Sequence, residues 1–214
     1  MLIKKIALCS LFLYTALGSA ASASGLDSLE AFVKTAKTGR AEFTQLVTAP
    51  AKQGQASRSK ISSGTFEFSR PNRFKFVYKK PFEQTIVADG QTLWLYDVDL
   101  NQVTARKQSA VLASSPAALI ASAADIKALQ ADFSLSAAPD QDGLEWALAV
   151  PKAKEGMLQA VRVGFQGGEL SILEIVDSFG QRSVMSFNGM RINTPLEPGA
   201  FQFKPPAGAD LIQQ

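Results

Sequence analysis

Gly64-Thr65-Phe66-Glu67-Phe68-Ser69-Arg70-Pro71-Asn72-Arg73-Phe74-Lys75-Phe76-Val77-Tyr78 decides the fold class of this chain. On one side of Arg70-Pro71-Asn72, Phe66 and Phe68 alternate with Thr65 and Glu67. On the other, Phe74, Phe76 and Tyr78 alternate with Arg73, Lys75 and Lys79. A period of two means strands, each with one apolar and one polar face. Pro fixes its own φ and disfavours helix in the residue before it, so Arg70-Pro71-Asn72 is read as the turn between them.

Working outward, the same period recurs. Upstream, Ala41, Phe43, Gln45 and Val47 alternate with Glu42, Thr44 and Leu46, and Pro50 to Ser63 reads as a mobile loop rich in Ala, Gln, Gly, Ser and Lys. Downstream, Pro81 closes the strand. Thr85 to Ala88 and Thr92 to Tyr96 flank Asp89-Gly90, a two-residue hairpin signal. Asp97 to Asn101 turns, and Gln102 to Arg106 follows. Residues 40–106 are thus predicted to be a meander of antiparallel strands. Later strands are expected over Phe133–Ala137, Leu144–Val150, Leu158–Phe165, Leu170–Val176 and Arg182–Phe187, parted by turns at Gly143, Gly156, Gly167-Gly168 and Phe179-Gly180.

Helical signals are few. Asp27 with Glu30 has capping-box spacing, and Leu29, Phe32, Val33 and Ala36 form one apolar helical face that Gly39 ends. Ser115-Pro116 is a helix start, followed by the apolar Ala117 to Ala121, and Ala124 to Leu129 reads as another short helix. Neither an internal repeat nor an interdomain linker is evident. One domain over residues 24–214 is expected: a single large antiparallel sheet with a few short helices.

Residues 1–23 read differently. Lys4 and Lys5 precede an apolar run from Ile6 to Leu17, and Ala21-Ser22-Ala23 fits signal-peptidase cleavage before Ser24. Export from the cytoplasm, with cleavage after Ala23, is therefore expected. The one cysteine, Cys9, lies inside this segment, too early for an acylated lipoprotein cysteine. Without Lys4 and Lys5, the 22 Lys and Arg fall by two to 20, against 19 Asp and Glu, so no nucleic-acid partner follows from charge. Without cysteine in the mature chain, stability must come from the core.

The 214 residues include no histidine. Ser-His-Asp and Cys-His catalysis are excluded, and zinc, copper and haem lose their usual ligands. Of the acids, Asp89 has a turn role. Asp97, Asp99 and Asn101 lack the Gly and bidentate Glu of a calcium loop. Ser57-Arg58-Ser59-Lys60 lacks the helix start of a Ser-Lys enzyme. No enzyme activity, metal or cofactor is expected.

A sheet of ten or so strands curls, and its apolar inner face must be filled, closed or covered. Three short helices have little volume for that, so residual apolar space is expected. The residues expected to line it are Phe43, Phe66, Phe68, Phe74, Phe76, Tyr78, Ile86, Leu93, Leu95, Leu119 and Ile120. The small residues of 116–129 suit a lid that covers without filling.

The ordered set Gly64-x-Phe66-x-Phe68-x-Arg70-Pro71-Asn72-Arg73-Phe74, Pro81, Ile86-Val87-Ala88-Asp89-Gly90, Leu93-Trp94-Leu95-Tyr96 and Gln102-Val103-Thr104 resembles the LolA family of periplasmic outer-membrane lipoprotein carriers. The likeness continues in Ser115-Pro116-Ala117-Ala118-Leu119-Ile120 and in Phe201-x-Phe203-x-Pro205-Pro206-x-Gly208. The resemblance implies a mainly β fold: an incomplete antiparallel β-barrel of about eleven strands with a lid of about three short α-helices. It implies triacylated lipoproteins as cargo, taken by a monomer from an inner-membrane ABC-type release complex and passed to the outer-membrane acceptor lipoprotein LolB. It places a lid latch at Arg70, contacting the backbone of Leu119 to Ala121, and a rim aromatic at Phe74. Phe76 stands where the family often has Trp, and the loop 50–63 is longer and more basic than the family pattern. Three other readings are kept: a sensing module for mislocalised lipoproteins, a carrier for another amphiphile such as a glycolipid, and a carboxylate-dependent hydrolase.

Overall fold

The computed structural model describes residues 23–51, 56–112, 121, 123–153 and 156–214. Helix α1 (Gly25–Thr35) leads into β1 (Thr38–Thr48), β2 (Ser59–Ser69), β3 (Arg73–Lys80), β4 (Gln84–Ala88), β5 (Thr92–Asp97) and β6 (Gln102–Lys107). Two short helices follow, α2 (Gln108–Leu112) and α3 (Ile126–Asp132). The chain then runs through β7 (Phe133–Gln141), β8 (Leu144–Pro151), β9 (Leu158–Gln166), β10 (Glu169–Asp177), β11 (Arg182–Ile192) and β12 (Asp210–Gln213). All twelve strands join one open sheet in the order β12-β6-β5-β4-β3-β2-β1-β11-β10-β9-β8-β7.

The predicted antiparallel meander is there, with differences that have physical reasons. Eleven strands pair antiparallel. The twelfth, β12, is a C-terminal strand lying parallel on β6, where it covers an otherwise bare sheet edge. Residues 59–63, read as loop, belong to β2, because β1–β2 pairing continues out to Thr48 and Ser59. The cap of α1 lies three residues earlier than expected. Ser24 accepts from Asp27 N–H, and the Asp27 carboxylate accepts in return from Ser24. Gly39 does not end the helix, which stops at Thr35. It lies in β1, where a Cβ would come within 2.3 Å of the Phe68 ring. The helix expected over Ala124 to Leu129 runs over Ile126–Asp132, capped by the Asp125 side chain. Of the segment 113–120 nothing is described, so Leu119, Ile120 and most of the expected lid helix lie outside the described residues, as does the expected signal segment up to Ser22.

Register fixes which face each residue takes. One inner row across three strands is Phe76, Ile86 and Leu95, and the row beside it is Phe74, Ala88 and Leu93. Phe43 and Phe187 pair on the same face of β1 and β11. All of these but Leu95 belong, with Leu29, Phe32 and Val33 of α1, to the main core.

A second apolar cluster lies on the outer face. Val87, Val103 and Ala105 are buried there, although they point away from the main core. The chain after β11 covers them: Phe203 lies 5.5 Å from Trp94 and 6.2 Å from Tyr96, centroid to centroid. The Phe201 ring sits 5.8 Å from the Arg73 guanidinium.

The concave face as candidate functional site

The concave face has two unlike walls. On β7 to β10, the inward residues include Ala147 and Ala149 on β8 and Val161 and Val163 on β9, all fully buried. Their small size lets α1 lie directly on the sheet. At Gly25 a Cβ would come within 2.1 Å of the Trp146 backbone, so only glycine admits that approach. Ser28 on α1 donates a hydrogen bond to the Glu145 carboxylate on β8.

On β1 to β4 the wall is aromatic. Phe66 stacks on Phe76 at 4.4 Å and on Phe68 at 5.7 Å. Phe43 meets Phe76 and Tyr78 edge-on at 5.6 and 5.0 Å, and Phe74 meets Phe76 at 5.9 Å. Tilted and edge-on pairs of this kind add to the free energy of area burial. The two walls meet where Phe32 of α1 sits 6.0 Å from both Phe68 and Phe165.

The structure therefore brings Phe43, Phe66, Phe68, Phe74, Phe76, Tyr78, Ile86, Leu93 and Leu95 onto one face, as the alternation predicted. The five phenylalanines are buried, with exposures of 0 to 7%. Tyr78, Ile86 and Leu93 are partly buried against them. Sequence reasoning missed the opposite wall: Phe133, Phe165, Leu173, Met185 and Phe187 belong to the same core. Phe165 and Phe187 closed two of the predicted strands, a usable signal, but nothing local showed that those strands would face Phe66.

Arg70 is the polar centre of this face. It is 7% exposed, and its Nε donates to Ala36 O at 2.9 Å and its Nη1 to Ala123 O at 3.0 Å. The guanidinium lies 5.3 Å from the Phe32 ring and 5.4 Å from the Phe68 ring. Nη2 has no hydrogen-bond partner among the described residues. Burial pulls the Arg70 pKa down to about 10, so the group remains a cation at neutral pH. The resemblance implied contacts at Leu119 to Ala121. The described acceptors are Ala36 O, just after α1, and Ala123 O; Leu119 and Ile120 lie outside the described residues, and Ala121 O accepts from the N–H of Asn72 in the same turn. Gln108, 1% exposed, joins the same turn: its amide donates to Asn72 O and accepts from Gly90 N.

The acids singled out in the sequence have structural occupations. Burial acts to raise the Asp89 pKa. Hydrogen bonds from Thr92, Trp94 and Gln91 outweigh it and hold the carboxyl below its usual range. Asp97 accepts from Leu100 N–H in its turn. Among the described residues no group of three or more His, Cys, Asp or Glu gathers into a metal site.

A curled open sheet with one continuous apolar inner face, on one wall of which α1 is docked, defines a β half-barrel of the apolar-ligand-binding class. Residues 34–204 match the family described as outer membrane lipoprotein carrier protein LolA. The chain is 72% identical over 198 residues to the outer-membrane lipoprotein carrier protein of Albidiferax ferrireducens, a match covering 91% of this chain and 93% of that protein. It is 52% identical over 195 residues to that of Methylibium petroleiphilum, covering 91% and 92%. The chain belongs to the LolA family of outer membrane lipoprotein carrier proteins. A conserved protein from Thermus thermophilus shares the fold, with a TM-score of 0.52 at 11% identity over 88% of this chain and 96% of that one.

Proposed function

We propose that this protein is a periplasmic carrier that shields the acyl chains of lipoproteins against the aromatic wall of its half-barrel. The observation that carries the reading is the asymmetry of the concave face. One wall is occupied by α1. The other is lined by Phe43, Phe66, Phe68, Phe74 and Phe76, which pack ring on ring and meet α1 where Phe32 reaches Phe68. Burying an acyl chain is worth about 0.8 kcal/mol per methylene, so chains leave a membrane only for another apolar solvent. The finer steps of the reading come from the family. An inner-membrane ATP-driven release complex loads the carrier, and an outer-membrane acceptor lipoprotein, LolB, unloads it. Export by a signal segment cleaved after Ala23 places the chain between the two membranes.

Arg70 serves as the latch in this scheme. Among the described residues it bonds two backbone carbonyls and no carboxylate, so it ties α1 to the stretch before α3 without a strong ion pair. Such a tie can be broken and remade, which a carrier needs: a closed empty state lowers net affinity and lets cargo go to a better site. The chemistry of the reading is binding and release. A turnover abolished by a single acid-to-amide change would overturn it.

The direct test incubates the purified protein with spheroplasts and looks for soluble lipoprotein in complex with it. Its absence refutes the carrier reading. Arg70→Leu is expected to load cargo and retain it, and normal hand-over to the acceptor would remove the latch. Phe74→Glu is expected to abolish loading, and wild-type release of lipoprotein by that variant would count against the aromatic wall.

A further inference from the structure

The two ends of the half-barrel are built differently. At the end where β2 turns into β3, α1 crosses the strands, Phe32 wedges between Phe68 and Phe165, and Arg70 covers the junction. At the opposite end lie the β1–β2, β3–β4, β5–β6 and β10–β11 connections. A cavity of ≈ 470 Å³ opens there between exposed hairpin tips. That size falls within the range of about 300–1,000 Å³ typical of small-ligand sites.

The inner face changes character in a single step on reaching this cavity. The row Phe76, Ile86, Leu95 is wholly apolar. The next inward row on the same three strands is Tyr78, Gln84, Asp97. On the neighbouring pair, Gln45 faces Ser62. All five of these polar residues line the cavity, as do Lys60 and Phe82, whose ammonium and ring centroid lie 5.0 Å apart. The belt is partly wired already: Tyr78 OH donates to Gln45 Oε1 at 3.1 Å, and Gln45 Nε2 donates to Ser183 Oγ at 2.8 Å. Tyr78 itself joins the aromatic wall through Phe43 at 5.0 Å, so one side chain belongs to both zones.

We infer that this belt is a subsite for the polar linkage of an acylated ligand, the ester and amide groups that join its fatty chains to its head. The inference rests on the carrier reading and deepens it. Carbonyl oxygens of such a linkage need donors, and its amide N–H needs acceptors. Among the described residues the Gln84 amide, the Ser62 hydroxyl and the Lys60 ammonium make no hydrogen bond or ion pair within the protein. Asp97 keeps one carboxylate oxygen beyond its bond to Leu100. Burial raises the Tyr78 pKa to about 12, so its hydroxyl stays a neutral donor and acceptor at physiological pH. Chains anchored here would run along Phe76 and Phe66 towards the end that α1 closes.

The test uses two fluorescent probes of equal chain length: a synthetic dipalmitoyl-glyceryl-cysteinyl peptide, and a pyrene-labelled alkane with neither ester nor amide. Both are titrated against wild type, Gln84→Leu and Ser62→Ala. Each variant is expected to weaken lipopeptide binding by about tenfold, the scale of one lost hydrogen bond in an apolar site, while alkane binding holds. Equal losses for both probes, or no loss for either, overturn the subsite and leave the carrier reading standing. Binding of neither probe by wild type overturns the carrier reading, and the subsite with it.

Discussion

The wall formed by β7 to β10 and the wall formed by β1 to β4 are both apolar, yet they solve the problem of burial in different ways. The first is lined by Ala147, Ala149, Val161 and Val163 and hands its surface to α1. The second is lined by phenylalanines that bury one another. A helix on small side chains makes many close backbone-level contacts and is held by a cap at one end and Arg70 at the other. The rings are held instead by one another: Phe66 meets Phe68, Phe76 and Phe187, and Phe76 meets Phe43, Phe66, Phe74 and Tyr78. The comparison teaches that a docked helix holds one half of this face, while the other half is held by contacts among its own rings.

Breaking the aromatic half should have the largest effect. Phe66 touches Phe68, Phe76 and Phe187, so Phe66→Ala is expected to lower unfolding free energy by about 3–5 kcal/mol in urea titrations. A loss below about 1 kcal/mol would mean that the rings re-sort without cost even when the protein is empty.

Overfilling the helix-bearing half comes next. Ala147→Leu inserts methylenes beneath α1 and is expected to cost about 1–3 kcal/mol. Hydrogen exchange should show α1 loosened first, and unchanged protection of residues 25–35 would show that the helix is not seated on Ala147. A gentler version removes the cap: Ser24→Ala is expected to cost about 1 kcal/mol and to fray the start of α1 while leaving the aromatic wall untouched.

The smallest effect concerns the outer surface behind the helix-bearing half. The Arg182 hydrogen bond lowers the Glu174 pKa below its ordinary 4.5, against the opposing effect of burial and with help from the charges of Arg182 and Arg162. A carboxyl whose folded pKa is depressed contributes stability above its unfolded pKa and loses it as pH falls through the folded one. Wild type should therefore lose stability on acidification below about pH 4.5 more steeply than Glu174→Gln. Parallel acid limbs would show that the ion pairs add nothing.

Much of this was legible in the chain. Alternation at Phe66, Phe68, Phe74 and Phe76 is a local property, and in a strand it fixes which residues share a face whatever the partner. The Asp89-Gly90 hairpin and the antiparallel meander follow from the same short-range chemistry. The partners of Arg70 were not legible: its described acceptors are backbone carbonyls at Ala36 and Ala123, which carry no side-chain signature. Nor was the tail, since Phe201 and Phe203 have no period that assigns one to Arg73 and the other to the outer face of β5 rather than to the main core.

By itself the sequence determined a sheet with one greasy face, a short capped helix and an inventory without histidine. Those depend on neighbours a few residues apart and on which side-chain chemistries exist at all. Only the tertiary structure decided that Thr48 pairs with Arg182, bringing the two walls to face each other, and that the helix lies on one of them. Contacts between residues so distant in the chain depend on how the whole sheet curls, and no local pattern records that curvature.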